Sequence, residues 1–293
     1  MTPMRVLVIG QQGQLAQALV RLCGDNKIDC ETIGRPTMDL TDPARTGPAL
    51  SARLSRALKP NIVINTAAYT QVDAAERDPE TAKRVNAIAA GEIALACATA
   101  DIPLLHISTD YVYAGDFDRP LLEEDTTQPA SVYGRTKLDG EQAIAANWQK
   151  HVIVRAAWLY GGAKDNFYAT INALSQTRET LKVVDDQTGC PTFAPNLADV
   201  LLEVSRHILS GKPSWGIFNY CDDTAMSWSD FAKKIVLANG RTECRIIPVT
   251  TLEYGAQASR PAWSVLDCTR INRAYGIEQA SFDKALQTSA RPA

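Results

Sequence analysis

Apolar residues in the first half of the chain follow two alternating patterns. Short runs rich in β-branched residues read as buried strands: "RVLVIG" (5–10), "CETIG" (30–34), "PNIVINTAA" (60–68), "PLLHIST" (103–109) and "HVIVRAAW" (151–158). Between them lie longer stretches with helical periodicity. "GQLAQALVRLC" puts Leu15, Ala18, Leu19 and Leu22 on one face. A helix is expected near Ala49–Leu58, a long one over 78–100 with Pro79 near its start, and another over "SVYGRTKLDGEQAIAA" (131–146). Strand–helix alternation of this kind predicts parallel strands with right-handed crossovers, a doubly wound α/β sheet of Rossmann type.

Past Gly161 the alternation loosens. "LKVVDDQTGCPT" (181–192) reads as strand then loop, "APNLADVLLEVSRHIL" (194–209) as a helix and "GIFNYC" (216–221) as a late strand. The tail from about Trp228 mixes helices with proline-bearing loops. The expected division is a dinucleotide-binding domain over 1–155 plus about 196–225, and a smaller, mainly helical substrate lobe over about 156–195 and 226–293.

Composition narrows the function classes. The chain has 293 residues, 45% hydrophobic and 22% charged, with a net charge of −3. That gives no general attraction to nucleic acid or to an anionic membrane. No apolar run is long enough for a signal peptide core or a membrane span. The seven cysteines are scattered, without a CxxC, and the histidines (His106, His151, His207) are isolated. Neither a disulfide framework nor a metal site is expected, and free thiols fit a reducing cytoplasm.

The candidate chemistry clusters at strand ends. The first strand runs into Gly10-Gln11-Gln12-Gly13-Gln14-Leu15-Ala16, a GxxGxxA turn opening a βαβ unit. Such a turn lets backbone N–H groups approach a pyrophosphate at the positive end of a helix. The second strand ends at Gly34-Arg35. An arginine there pairs with the 2′-phosphate of NADP, or is simply a solvated loop residue. The fourth strand ends in Ser108-Thr109-Asp110-Tyr111, and the next helix carries Tyr133 and Lys137, four residues apart and so on one face. Alone, that spacing also describes an ordinary helix surface. Together with the strand-end hydroxyl and carboxylate it suits ketone reduction, in which hydride delivery to carbon leaves an oxygen that needs a proton. A free phenol titrates near ~10, and a neighbouring ammonium lowers it.

GxxGxxA, "NTAAYT", "STDYVY" and YxxxK, in this order, resemble the extended short-chain dehydrogenase/reductase superfamily. "VINTAAYTQVDAAERDPETAKRVNA", "ISTDYVYAGD", "VYGRTKLDGE", "VIVRAAWLYG", "DDQTGCPT" and "RPAWSVLD" are similar, in order and spacing, to segments of its dTDP-4-dehydrorhamnose reductase family, from about Met4 to Asp267. The resemblance implies reduction of a nucleotide-sugar 4-keto group by NADPH or NADH. It makes Tyr133 the proton donor, Lys137 its partner and ribose ligand, and Thr109 and Asp110 sugar contacts, with Trp158 lining the substrate pocket. It places Gly13, Gln14 and Leu15 at the pyrophosphate, Asp39 and Leu40 at the adenosine, and Ala68, Tyr69 and Thr70 under the cofactor. Some members of the family form a metal-bridged dimer on glutamates. Here those places hold Ala18 and Pro195, so no metal is expected, and the chain is a monomer or homodimer. Two other readings remain: a related 4-ketoreductase acting on another nucleotide sugar, and a non-catalytic binder similar to the regulatory subunit of methionine adenosyltransferase.

Overall fold

The computed structural model describes residues 3–162 and 166–290. The first half runs β1 (Arg5–Ile9), α1 (Gln14–Asp25), β2 (Asp29–Ile33), α2 (Pro43–Leu54), β3 (Ile62–Asn65), α3 (Val72–Arg77), α4 (Pro79–Lys83), a π-helical turn (Arg84–Ile88), α5 (Ala89–Ala100), β4 (Leu104–Thr109), a 3₁₀ turn (Asp110–Val112), α6 (Val132–Asn147) and β5 (His151–Ala156). The second half runs β6 (Leu159–Tyr160), α7 (Phe167–Leu174), β7 (Thr180–Val184), β8 (Thr188–Gly189), β9 (Thr192–Phe193), α8 (Ala194–Leu209), β10 (Gly216–Tyr220), β11 (Met226–Ser227), α9 (Trp228–Ala238), β12 (Arg245–Val249), α10 (Thr251–Tyr254), β13 (Trp263–Ser264), α11 (Thr269–Tyr275) and α12 (Phe282–Ala290).

Six parallel strands form the central sheet in the order β10-β5-β4-β3-β1-β2. Because β1 sits between β2 and β3, the crossovers from it leave in opposite directions. The crevice outside its carboxyl end is therefore the ligand position of the fold. Alternation along β1 feeds two cores. Val6 and Val8 pack with Leu19, Leu197, Leu201 and Phe218 on one face of the sheet. Leu7 and Ile9 pack with Leu50, Ile93 and Ile144 on the other. A third core, built on Tyr160, Tyr168, Phe231 and Phe282, holds the C-terminal region, where the remaining strands form small sheets β11-β8-β13, β12-β7 and β6-β9.

Two helices differ from their expectation. α2 starts at Pro43, six residues before the anticipated Ala49, and ends at Leu54. Asp42 caps it by accepting from the Ala44 N–H at 2.9 Å, and Pro43 supplies a preset first-turn φ. Pro48 lies inside the helix and does not end it. The single helix expected over 78–100 is divided by the π-helical turn, which carries Asn86.

Candidate active site

The cofactor end is built around β1 and the start of α1. Gly10 has φ 115°, and a Cβ there would lie 2.6 Å from Thr66 Oγ1. Glycine is thus required by the turn itself. Gly13 differs, because a Cβ there would meet nothing within 4 Å. It caps α1 without a side-chain hydrogen bond, so the first-turn N–H groups of the helix remain available to an anion. Leu15 is buried beneath the turn. The Gln14 side chain is already engaged: it donates to Leu159 O at 3.0 Å and accepts from Asn166 Nδ2 at 3.1 Å. What Gln14 offers an anion is its backbone.

Arg35 is exposed at the tip of β2. Glu31, inside β2, is ion-paired with Arg53 through Oε2. Asp39 accepts from Thr41 N at 3.0 Å and Thr41 Oγ1 at 2.8 Å. These bonds, with Arg35 nearby, hold its carboxyl below the usual range. Leu40 is half-buried against the same core as Ala67. The Ala68–Thr70 segment is fixed by a residue not singled out from sequence, Asn86. Its Oδ1 accepts from Tyr69 N at 2.8 Å, and its Nδ2 donates to Tyr69 O and Thr136 Oγ1, both at 3.1 Å.

The chemical end lies where α6 meets β4. Ser131 caps α6, its hydroxyl accepting from Gly134 N at 3.1 Å, and Glu76 accepts from Val132 N at 2.7 Å. Gly134 and Gly140 let the helix approach closely. A Cβ on the first would overlap the Tyr111 carbonyl oxygen, and on the second that of Asn86. Thr109 Oγ1 donates to Asp110 Oδ1 at 3.0 Å and accepts from Tyr111 N at 3.2 Å. The Tyr133 side chain faces that of Thr109, which favours its ionised form, and its ring meets that of Tyr111 edge-on at 5.7 Å. Burial pushes the Tyr133 phenol up to about 12, with the Thr109 contact opposing and the Asp110 charge adding to the rise. The phenol therefore stays protonated across the neutral range, as a proton donor must.

Asp110 is buried, and burial raises its carboxyl to about 6 against the stabilising effects of Ser264 and Thr109. Its Oδ2 and the neighbouring Ser108 Oγ are buried without a hydrogen-bond partner of normal geometry. Two polar atoms are thus left at the strand end for a polar ligand.

Lys137 shares the helix face of Tyr133, but its amine is engaged with β4. Nζ donates to Ile107 O at 2.6 Å and lies 3.2 Å from His106 Nε2. Burial lowers it to about 8, with Glu141 opposing. The sequence suggests an ammonium that lowers the Tyr133 phenol; the groups that shift the phenol here are its burial, Thr109 and Asp110.

Beyond β5, Trp158 has φ 45°, an uncommon backbone state for a bulky residue. Its indole stacks on that of Trp228, with centroids 3.4 Å apart and planes 8° apart. A Cβ on Gly189 would come within 2.6 Å of this indole. Trp228 in turn lines a cavity of about 540 Å³, walled also by Phe167, Tyr254, Arg178, Lys182 and Arg260. Arg260 spans back to α3, donating to Asp73 Oδ2 at 2.7 Å, and also donates to Ala258 O at 3.0 Å. Neither Trp228 nor Arg260 was assigned a role from sequence. Among the described residues no group of His, Cys, Asp or Glu side chains is placed to hold a metal ion. Ala18 lies on α1 and Pro195 in the first turn of α8, which packs against α1. No helix among the described residues is long and apolar enough to cross a membrane.

This architecture has known relatives. The chain matches the family described as RmlD substrate binding domain over residues 4–292. It is 36% identical over 288 residues to a dTDP-4-dehydrorhamnose reductase of Sinorhizobium fredii, covering 96% of this chain and 95% of that protein. Among solved structures it is similar to a dTDP-4-dehydrorhamnose reductase of Clostridium acetobutylicum, at TM-score 0.89 and 33% identity over 98% of both chains. It is likewise similar to one of Bacillus anthracis in complex with NADP, at TM-score 0.88 and 32% identity over 98% of this chain and 99% of that one. A Thermus thermophilus UDP-glucose 4-epimerase, 18% identical at TM-score 0.76 over 98% of both chains, shares the fold. The convergence of the glycine turn, the Thr109–Tyr133–Lys137 set and this full-length similarity leads to one conclusion: the chain belongs to the RmlD substrate binding domain family, that of the dTDP-4-dehydrorhamnose reductases.

Proposed function

We propose that this chain reduces the 4-keto group of dTDP-4-dehydro-L-rhamnose to dTDP-L-rhamnose, using NADPH or NADH. The observation that carries the reading is the placement of the buried Tyr133 phenol of α6 beside Thr109 at the carboxyl end of β4, the end of the sheet at which the Gly10–Gly13 turn also lies. The cradle suits a dinucleotide because α1 begins with an uncapped N-terminus beside open space at Gly13, with Arg35 exposed at the neighbouring strand tip. When bound, the nicotinamide supplies the hydride.

The protein's own groups do the rest. Thr109 holds the substrate oxygen, and Tyr133 gives the proton that neutralises it as the C–H bond forms. Lys137 binds the nicotinamide ribose and supports the phenol. Asp110 Oδ2 and Ser108 Oγ, neither held by a hydrogen bond of normal geometry, accept from and donate to sugar hydroxyls. Gly13, Gln14 and Leu15 present backbone N–H groups to the pyrophosphate. Asp39 and Leu40 border the adenosine, and Ala68, Tyr69 and Thr70 line the cofactor floor. The cavity beside Trp158 and Trp228 receives the nucleotide. Its aromatic walls suit a base, and Arg178, Lys182 and Arg260 suit a diphosphate.

The proposed division into a dinucleotide-binding domain (1–155 plus about 196–225) and a substrate lobe is supported by β10 joining the main sheet and by α8 packing on α1. Free cysteines throughout support a cytoplasmic location, and we take the chain to act as a monomer or homodimer. The deciding experiment mixes the protein with NADPH and the dTDP-linked 4-keto-6-deoxysugar and follows cofactor absorbance. Loss of absorbance with formation of dTDP-L-rhamnose supports the reading, and an unchanged trace refutes it.

A further inference from the structure

A buried chain of polar groups runs beneath the catalytic helix, and its hydrogen-bond polarity is fixed at one end. Ala67 N donates to Asn65 Oδ1 at 3.1 Å. A backbone N–H can only donate, so the Asn65 amide is oriented with Nδ2 toward His106 Nδ1, 3.0 Å away. Nδ1 must then accept. His106 is buried, and that burial holds its imidazole neutral. Its one ring proton therefore sits on Nε2, which faces Lys137 Nζ at 3.2 Å. An ammonium has three N–H donors and no acceptor, whereas a neutral amine has a lone pair. The Nε2–H group thus matches the amine and opposes the ammonium.

We propose that His106, locked by Asn65 in its Nε2–H tautomer, is a positioning residue that sets the proton occupancy and orientation of the Lys137 amine. The inference rests on the reading of Lys137 as partner of Tyr133, and adds the group that tunes it. Among the described residues, other charged or titratable groups face this helix and strand. Glu141, one turn along α6, is paired with Arg155 of β5 at 2.7 Å. Tyr133 is one turn back. His151 of β5 is registered beside Leu104 of β4, and Asp110 follows the last residue of that strand. On the packed α3 and π-helical turn, Glu76 accepts from Val132 N and Arg84 pairs with Glu92. None of these places an N–H against Nζ as His106 does.

The test follows Lys137 directly. In His106→Asn the shorter side chain keeps an acceptor oxygen for Asn65 and puts nothing in place of Nε2. With lysine labelled at the ε-carbon, NMR should show the Lys137 titration midpoint move up by about one pH unit in this variant. The basic limb of kcat against pH should move with it. A merely structural histidine would lower thermal stability and leave the midpoint where it is, and that result overturns the proposal. Nitrogen NMR of histidine-labelled wild-type protein is independent of whether the variant folds: a proton on Nδ1 refutes the proposal, and one on Nε2 supports it. If the protein fails to turn over the nucleotide sugar while the midpoint moves as stated, the assigned reaction falls and the tuning of Lys137 stands.

Discussion

Trp158 lies flat on Trp228, with ring centroids 3.4 Å apart, although the two residues come from different parts of the chain. Trp158 follows directly on β5 of the main sheet, and Trp228 opens α9 and walls the cavity of the C-terminal lobe. The stack therefore joins the end of β5 to the wall of that cavity, and Trp158 holds its ring there with a positive φ. Removing Trp228 should expose one face of Trp158 and widen the cavity. Trp228→Ala is expected to raise KM for the nucleotide sugar roughly 10-fold, the size of a lost aromatic contact. Cofactor titrations on the same variant should be unchanged; equal weakening of both ligands would show that the stack serves overall folding instead.

Arg35 should separate the two cofactors. It is exposed, and the nearest carboxylate inside the strand, Glu31, is held by Arg53. Arg35→Ala is expected to weaken NADPH by roughly 1.5–3 kcal/mol, the worth of a charge-assisted contact, and to leave NADH nearly unaffected. Fluorescence titration with both cofactors checks this, and equal losses would remove Arg35 from 2′-phosphate recognition.

Asp110 should show a trade of stability for function. Burial lifts its carboxyl from 3.8 to about 6 in the native state. Below the unfolded value both states are protonated and there is no cost. As pH rises through the window between 3.8 and about 6, the unfolded chain ionises first, so native stability falls with pH. At neutral pH the cost is on the order of 3 kcal/mol. Asp110→Asn is expected to be more stable than wild type at pH 7, to lose that advantage near pH 4, and to turn over more slowly. Denaturant melts at the two pH values measure the difference, and an advantage of the same size at both would show that ionisation is not its source.

Much of this site was legible in sequence because it is local. Tyr133 and Lys137 share a face by spacing alone, and Gly10 and Gly13 punctuate a strand-to-helix turn that has to be tight. The sheet followed from runs such as 62–65 and 151–156, buried along their whole length. What stayed hidden depends on partners distant in the chain. Asn86 sits within a helical stretch, and only its bonds to Tyr69 and Thr136 give it a role. His106 read as an isolated histidine in a strand, because Asn65 and Lys137 lie 41 and 31 residues away. Arg260 gained meaning only through Asp73, 187 residues back. The helix expected near Ala49 begins six residues earlier, at Pro43, where Asp42 caps it, and Pro48 lies inside it.

The central claim is that Tyr133 is the proton donor, and Tyr133→Phe tests it most directly. The substitution deletes one hydroxyl beside Thr109 and leaves the ring against Tyr111. Steady-state turnover of the dTDP-linked 4-keto sugar with NADPH should fall about 10²–10⁴-fold, the usual contribution of a positioned acid, while the cofactor Kd stays within about 2-fold, a difference of roughly 0.4 kcal/mol. Turnover near that of the wild type would contradict the account.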